Sequence, residues 1–196
     1  MPICDRKRLW RACAFLTVAL ALASSVSATT YLPVTFRELV NQAEVIFVGD
    51  VVDVRPYRLR TRTGTLVKTR VTFRVDDAVY GTSSLVEVFD FLGGEAEGYG
   101  LAVEGMPKFA VGDREVVFAH RKASINPIVG FTQGVLRVRR DSGGVDRVFT
   151  LEGISLLRPE SIGSPTSGLR MAPESSMTLS DFRSRIVMAL AEARKR

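Results

Sequence analysis

Cysteine is absent from this chain after residue 13. Both cysteines, Cys4 and Cys13, fall within the first 28 residues. Beyond them the chain can form no disulfide and no thiolate metal site, and it holds no cysteine nucleophile. Histidine is nearly absent too, His120 being the only one. A Ser-His-Asp triad would have to use it, yet no G-x-S-x-G elbow is present, and one histidine cannot build a multi-histidine metal site. At the end of a predicted strand, His120 reads as a structural or surface residue. The glycine-rich run Gly93–Gly100 lacks the G-x-x-x-x-G-K-[ST] of a phosphate loop and the Rossmann triplet. It reads as a loop at a barrel mouth, and its two acids, Glu95 and Glu97, do not define a glycosidase pair. These gaps leave little from which to assemble a reacting centre, so the expectation is a non-enzymatic protein with no catalytic residues, no cofactor and no metal.

Long apolar runs are also scarce. The one candidate, Cys13–Ala23 (CAFLTVALALA), has 11 residues, too few for the ~20 of a spanning helix. It follows a basic head (Arg6, Lys7, Arg8, Arg11) and precedes the small-residue pattern Val26-Ser27-Ala28. Basic, apolar and small in that order is the anatomy of a secretory signal peptide, with cleavage expected between Ala28 and Thr29. The implied location is periplasmic or secreted, with no transmembrane anchor after cleavage. The leader carries four of the 27 basic residues and one of the 21 acidic ones, so the whole-chain charge of +6 falls to +3 for residues 29–196. That balance is too mild to imply a nucleic-acid partner. The remaining 168 residues suit one domain and can bury about 70% of their unfolded surface without staples.

Along that domain the patterning is mostly of period two. A short helix is expected over Phe36–Ala43, with Thr35 and Glu38 forming a capping box. The first strand spans Glu44–Val54, with Ile46, Val48, Val52 and Val54 as one row and Gly49 marking a bulge or bend. Arg55–Leu66 reads as a polar hairpin tip. Val67–Tyr80 returns with Val67, Val71, Phe73 and Val75 inward and Lys68, Arg70, Thr72 and Arg74 outward. Further strands are expected at Leu85–Leu92, Arg114–His120, Val135–Arg139 and Val145–Leu151. Residues 158–177 are rich in Pro, Ser and Gly and read as a surface linker. A C-terminal helix over Leu179–Ala193 has Leu179, Phe182, Ile186 and Leu190 at helical spacing, a face that favours packing, and Arg194-Lys195-Arg196 suits its dipole. The fold class is therefore mainly β: a five- to six-stranded OB-like Greek-key barrel over residues 29–157, with a short N-terminal helix and an amphipathic C-terminal helix within 178–196. Its expected core is Ile46, Val48, Val52, Val71, Phe73, Val75, Phe89, Val117, Phe118 and Leu136.

Three segments resemble the netrin-like domain, the OB-fold module of tissue inhibitors of metalloproteinases. Val40–Val51 (VNQAEVIFVGDV) is similar to the family's helix end and first strand, "A-D-x-V-x-x-G-x-V". Val71–Gly81 (VTFRVDDAVYG) resembles its second strand, with Tyr80 where the family carries lysine. Phe109–Phe118 (FAVGDREVVF) looks like "F-x-x-G-E-x-Y-L-x-F". Asn41 stands where the inhibitors carry a cysteine. In those inhibitors a free α-amine and first carbonyl chelate the protease zinc, with a small hydroxyl residue next. The resemblance thus implies a binding module that engages a secreted protein, such as a metalloprotease, through Thr29, Thr30, Tyr31 and Leu32. A second candidate comes from the residues themselves. Arg55, Arg58, Arg60, Arg62, Lys68, Arg70 and Arg74 crowd the first hairpin, an anion-binding strip for a polysaccharide or envelope polymer. Tyr57 is the one aromatic there for stacking.

Overall fold

Thr35 starts the first helix, α1 (Phe36–Gln42). Its hydroxyl accepts the Glu38 amide at 3.3 Å, and the Glu38 carboxylate accepts the Thr35 amide at 2.8 Å, the reciprocal cap expected from the sequence. Ala43 takes extended backbone and ends the helix. The computed structural model describes residues 32–163 and 175–193. The expected leader (1–28), the cleavage point Ala28/Thr29, Thr30, Tyr31, residues 164–174 and Arg194-Lys195-Arg196 lie outside the described residues.

The strands are β1 (Val45–Thr61), β2 (Gly64–Tyr80), β3 (Val86–Leu92), the short pair β4 (Gly94–Ala96) and β5 (Tyr99–Leu101), then β6 (Arg114–Ala119), β7 (Val135–Arg140) and β8 (Asp146–Thr150). Six of them form one antiparallel sheet in the order β3-β2-β1-β6-β7-β8, and β4 and β5 pair separately. Three consecutive strands, with a fourth returning after a long connection to lie beside the first, make a Greek key. Here β6 is that fourth strand, on the free edge of β1.

The sheet is buried on both faces, which explains the unbroken apolar run Val45–Val48. On one face Phe47, Phe73, Phe89, Val117 and Val135 share a cluster. On the other, Ile46, Val48, Phe118, Leu136 and Val148 pack under α1 and α2 (Leu179–Ala193). The single expected interior is thus two clusters. Val71, Phe73, Val75, Phe89 and Val117 belong to the first, and Ile46, Val48, Phe118 and Leu136 to the second. Val52 belongs to neither and is 41% exposed. Val51 opposes Phe73 and Asp53 opposes Thr72, so Val52 is the extra residue of a bulge. One extra residue reverses the parity of the strand, and Val54 rejoins the face of Phe47. The register also shifts at Gly49, as its glycine suggested, and a Cβ there would stand 2.5 Å from the Arg74 carbonyl oxygen.

Three other expectations are corrected. Arg55–Leu66 is not a polar tip: the strands run to Thr61 and resume at Gly64, leaving only Arg62-Thr63 as the turn. Gly93–Gly100 is not an open loop, because it folds as the β4–β5 hairpin. Residues 158–177 are not wholly a surface linker. Pro159 and Ile162 are buried around a 3₁₀ turn, and Met177 exchanges backbone hydrogen bonds with Val148 and Leu156 at 3.0 and 2.7 Å. Those bonds fix where α2 begins. Its buried Phe182 lies 5.7 Å from the Phe36 ring and 6.3 Å from Phe118, joining helix, helix and sheet. Phe182→Ala should therefore cost about 3–5 kcal/mol of stability, read by urea unfolding. Loss of under 1 kcal/mol would mean that α2 is not part of the cooperative unit.

Candidate functional site

The N-terminal segment is the first candidate, and its base is held by one side chain. The Gln133 amide sits in the β6–β7 connection. Its oxygen accepts the Val34 amide at 2.9 Å, while its nitrogen donates to the Leu32 carbonyl at 3.2 Å and the Gly130 carbonyl at 3.1 Å. Gly163 backs this clamp at φ +74. A Cβ there would lie 2.5 Å from the Val34 carbonyl oxygen and 2.9 Å from the Gln133 amide oxygen, so no larger residue fits without displacing the segment. Leu32 is 86% exposed. Within the same connection Phe131 has φ 63 and is 41% exposed, a left-handed backbone that costs a non-glycine residue about 1–2 kcal/mol. Thr29, Thr30 and Tyr31, the other expected contact residues, lie outside the described residues.

The seven cations of the first hairpin do not form one strip. Directly opposed residues share a face, so Arg55, Lys68, Arg70 and Arg74 share the outer face, whereas Arg58 and Arg60 lie on the inner one and Arg62 is in the turn. Four of them meet carboxylates. Arg55 lies 3.5 Å from Asp53, Arg58 2.8 Å from Glu97, and Arg74 pairs with Asp50. Arg70 makes a two-pronged contact to Asp90 at 2.9 and 3.0 Å and lies 5.2 Å over the Tyr57 ring. The Arg70 hydrogen bond holds the Asp90 carboxyl below its usual range, and burial pushes the Tyr57 hydroxyl up, reinforced by Asp90. Arg60, Arg62 and Lys68 have no ion pair among the described residues.

Two further features escaped the sequence reading. An apolar groove of about 1170 Å³ opens between β1–β3 and residues 100–109, with Val54, Val71, Phe91, Met106 and Phe109 among its walls. Closer to the core, Glu115 is fully buried. Arg137 reaches one of its oxygens from two nitrogens, both at 3.2 Å, and also meets Asp113 at 3.1 Å. The signal for Glu115 was its parity with Val117, which puts it on an interior face of β6. His120 is half-exposed, and its backbone amide donates to the Pro127 carbonyl at 2.8 Å. Among the described residues no three His, Cys, Asp or Glu side chains are grouped so that they could hold a metal ion. No known protein-family model matches this chain, and no curated protein matches it either.

Burial raises the Glu115 carboxyl to about 7 from an ordinary value of 4.5, with the Arg137 charge pulling the other way. Between those two values the folded state holds a proton that the unfolded chain releases. Stability should therefore fall as pH rises from 4.5 to about 7 and level off above that. The span is on the order of 3 kcal/mol. Glu115→Gln cannot titrate, and urea unfolding across this window should show its slope flattened relative to the parent. An unchanged slope would assign the pH dependence to other groups.

Proposed function

We propose that this chain is an exported, non-catalytic module that binds another protein through Thr29–Leu32 and the adjoining β6–β7 connection. The Gln133 clamp carries the reading. Free chain ends usually fray, and ordering one on a partner costs about 1–2 kcal/mol per residue. Here the backbone at Leu32 and Val34 is already held, so less of that cost falls on the binding step. The exposed side chains of Leu32 and Phe131 offer apolar contact, and a strained backbone at an exposed aromatic is the kind of feature that binding sites retain. In the inhibitors that the sequence resembles, disulfides tether the N-terminus. In this reading Gln133 and Gly163 take over that tether, which is why Asn41 can stand in place of a cysteine. A secreted metalloprotease is the partner that the resemblance implies.

An OB-like barrel is the architecture that accompanies this proposal. Two observations support it: the Greek-key order of β6, β1, β2 and β3, and an apolar cluster that joins Phe89 and Phe91 of β3 to Val135 of β7 across one interior. Export is supported by the basic, apolar and small order of the first 28 residues. The polysaccharide reading loses support, because four of its seven cations are already compensated.

Residues 29–196, used as bait in the culture medium of the source cells, should recover a protein partner. Deleting Thr29–Leu32 should abolish recovery. Gln133→Ala, which removes the clamp but no contact residue, should weaken the Kd roughly fivefold, since a hydrogen bond contributes about 1 kcal/mol. Equal recovery without Thr29–Leu32 would remove the N-terminal segment from the interface.

A further inference from the structure

The outer half of the β1–β2 hairpin is a ribbon with one covered face and one open face. β3 pairs with β2 only over Lys68–Arg74. Gly64 lies four residues past Lys68, so the ribbon runs roughly 13 Å beyond the edge of β3 at strand rise. Its inner face is covered by β4–β5. A Cβ on Gly94 would touch Pro56, Thr69 and Val67, and Arg58 lies 4.9 Å over the Tyr99 ring. Its outer face carries Leu59 directly opposite Leu66, 39% and 38% exposed, beside Tyr57 and Lys68.

The charge around this apolar pair is of one sign. Between Arg55 and Arg70 the chain has no Asp or Glu. The carboxylates that compensate Arg55, Arg58 and Arg70 come from outside that stretch. None of them pairs with Arg60 or Arg62. Lys68 acts on Asp90, which Arg70 already occupies. The outer face of the projecting end thus presents two exposed leucines with Lys68 on the same face and Arg62 in the turn, while Arg60 points to the inner face.

We propose that this ribbon seats on an anionic lipid bilayer, with Leu59 and Leu66 in the headgroup boundary and Arg62 and Lys68 on lipid phosphates. Such elements combine apolar burial of about 5–10 Å with attraction to anionic headgroups, and the projection is long enough to reach that depth. Long basic side chains can lay their stems along apolar surface and keep their charge at the phosphate level. A soluble anionic polymer explains the cations but leaves the leucines unused. Sugar stacking would call on Tyr57, and one face of that ring is already occupied by Arg70.

The test uses residues 29–196, which contain the compact unit Tyr31–Arg196 and lack the apolar leader. The protein should co-sediment with vesicles of phosphatidylcholine containing phosphatidylglycerol, and not with phosphatidylcholine alone. Binding should weaken as salt is raised. Arg62→Gln/Lys68→Gln should lower it roughly 30-fold, at about 1 kcal/mol per cation near such a surface. Arg158→Gln, a cation outside the hairpin, should leave it unchanged. Trp10, the one tryptophan, lies in the leader, so L59W introduces a lone reporter at an exposed position. Its emission should shift to the blue with the anionic vesicles and stay put with dextran sulfate, while its melting temperature matches the parent. Failure to bind the anionic vesicles overturns the proposal. So does binding that leaves L59W emission unmoved, and dextran sulfate binding that matches the vesicles would assign the ribbon to a polymer instead. None of these outcomes bears on the Gln133 clamp, which uses other residues.

Discussion

Strand β1 is packed on both faces along Val45–Val48 and paired on both edges from Ile46 onward, and that double demand governs the fold. Four consecutive apolar residues satisfy it. Each contributes about 1.5–3 kcal/mol on burial, and alternate members serve opposite clusters. A straight strand of 17 residues could not stay in register with β6 at its base and carry a ribbon under β4–β5 at its end. Gly49 lets β1 approach the Arg74 backbone, and the Val52 bulge then reverses which residues face the interior. Beyond that bulge Val54 returns to the first cluster, while Arg55, Tyr57 and Leu59 are turned outward.

Charge is arranged around the same frame. Arg114 on β6 reaches Asp50 on β1 at 3.2 Å, pairs with Asp76 on β2, and lies 4.0 Å from Asp146 on β8. Arg183 ties α2 to Asp77 of β2 at 2.5 Å, and Arg37 ties α1 to Glu192 of α2 at 3.0 Å. Exposed pairs of this kind contribute about 0–1 kcal/mol each, so their main effect is on where charge remains. Near the sheet and helices most cations are matched. At the hairpin end the matching stops, and the same strand that organises the core delivers its uncompensated charge to the periphery. Glu115 is the opposite case. It is a carboxyl held inside by Arg137, where burial outweighs the attraction and keeps the proton on at mildly acidic pH.

The two proposed surfaces differ in kind. At the Gln133 clamp the backbone at Leu32 and Val34 is held by side-chain hydrogen bonds rather than by a disulfide. At the ribbon nothing is pre-ordered beyond the strand pairing itself, and the contribution comes from apolar surface and charge held at a distance from the rest of the sheet. They use separate elements, the β6–β7 connection and the outer β1–β2 hairpin.

Local rules were enough to read much of this chain. The Thr35/Glu38 cap, the alternation of Val67–Val75 and the span of α2 all follow from side-chain period and capping, which depend on neighbours within a few residues. The glycine at 49 announced a bulge for the same reason. The change of face along β1, which exposes Val52 and turns Val54 to the face of Phe47, was out of reach. It depends on the unpaired Val52, and a bulge without a glycine leaves no local mark. The Gly93–Gly100 hairpin was hidden as well, because its fold depends on the underlying face of Pro56, Val67 and Thr69. The basic strip was legible as composition but not as a surface. Only the pairing of β1 with β2 sorts its residues between faces, and only the approach of Asp50, Asp90 and Glu97 decides which charges are cancelled. Gln133 lies 99 residues from Val34. Nothing in period or propensity links residues so far apart, so the clamp exists only once the sheet has brought the β6–β7 connection to the start of α1.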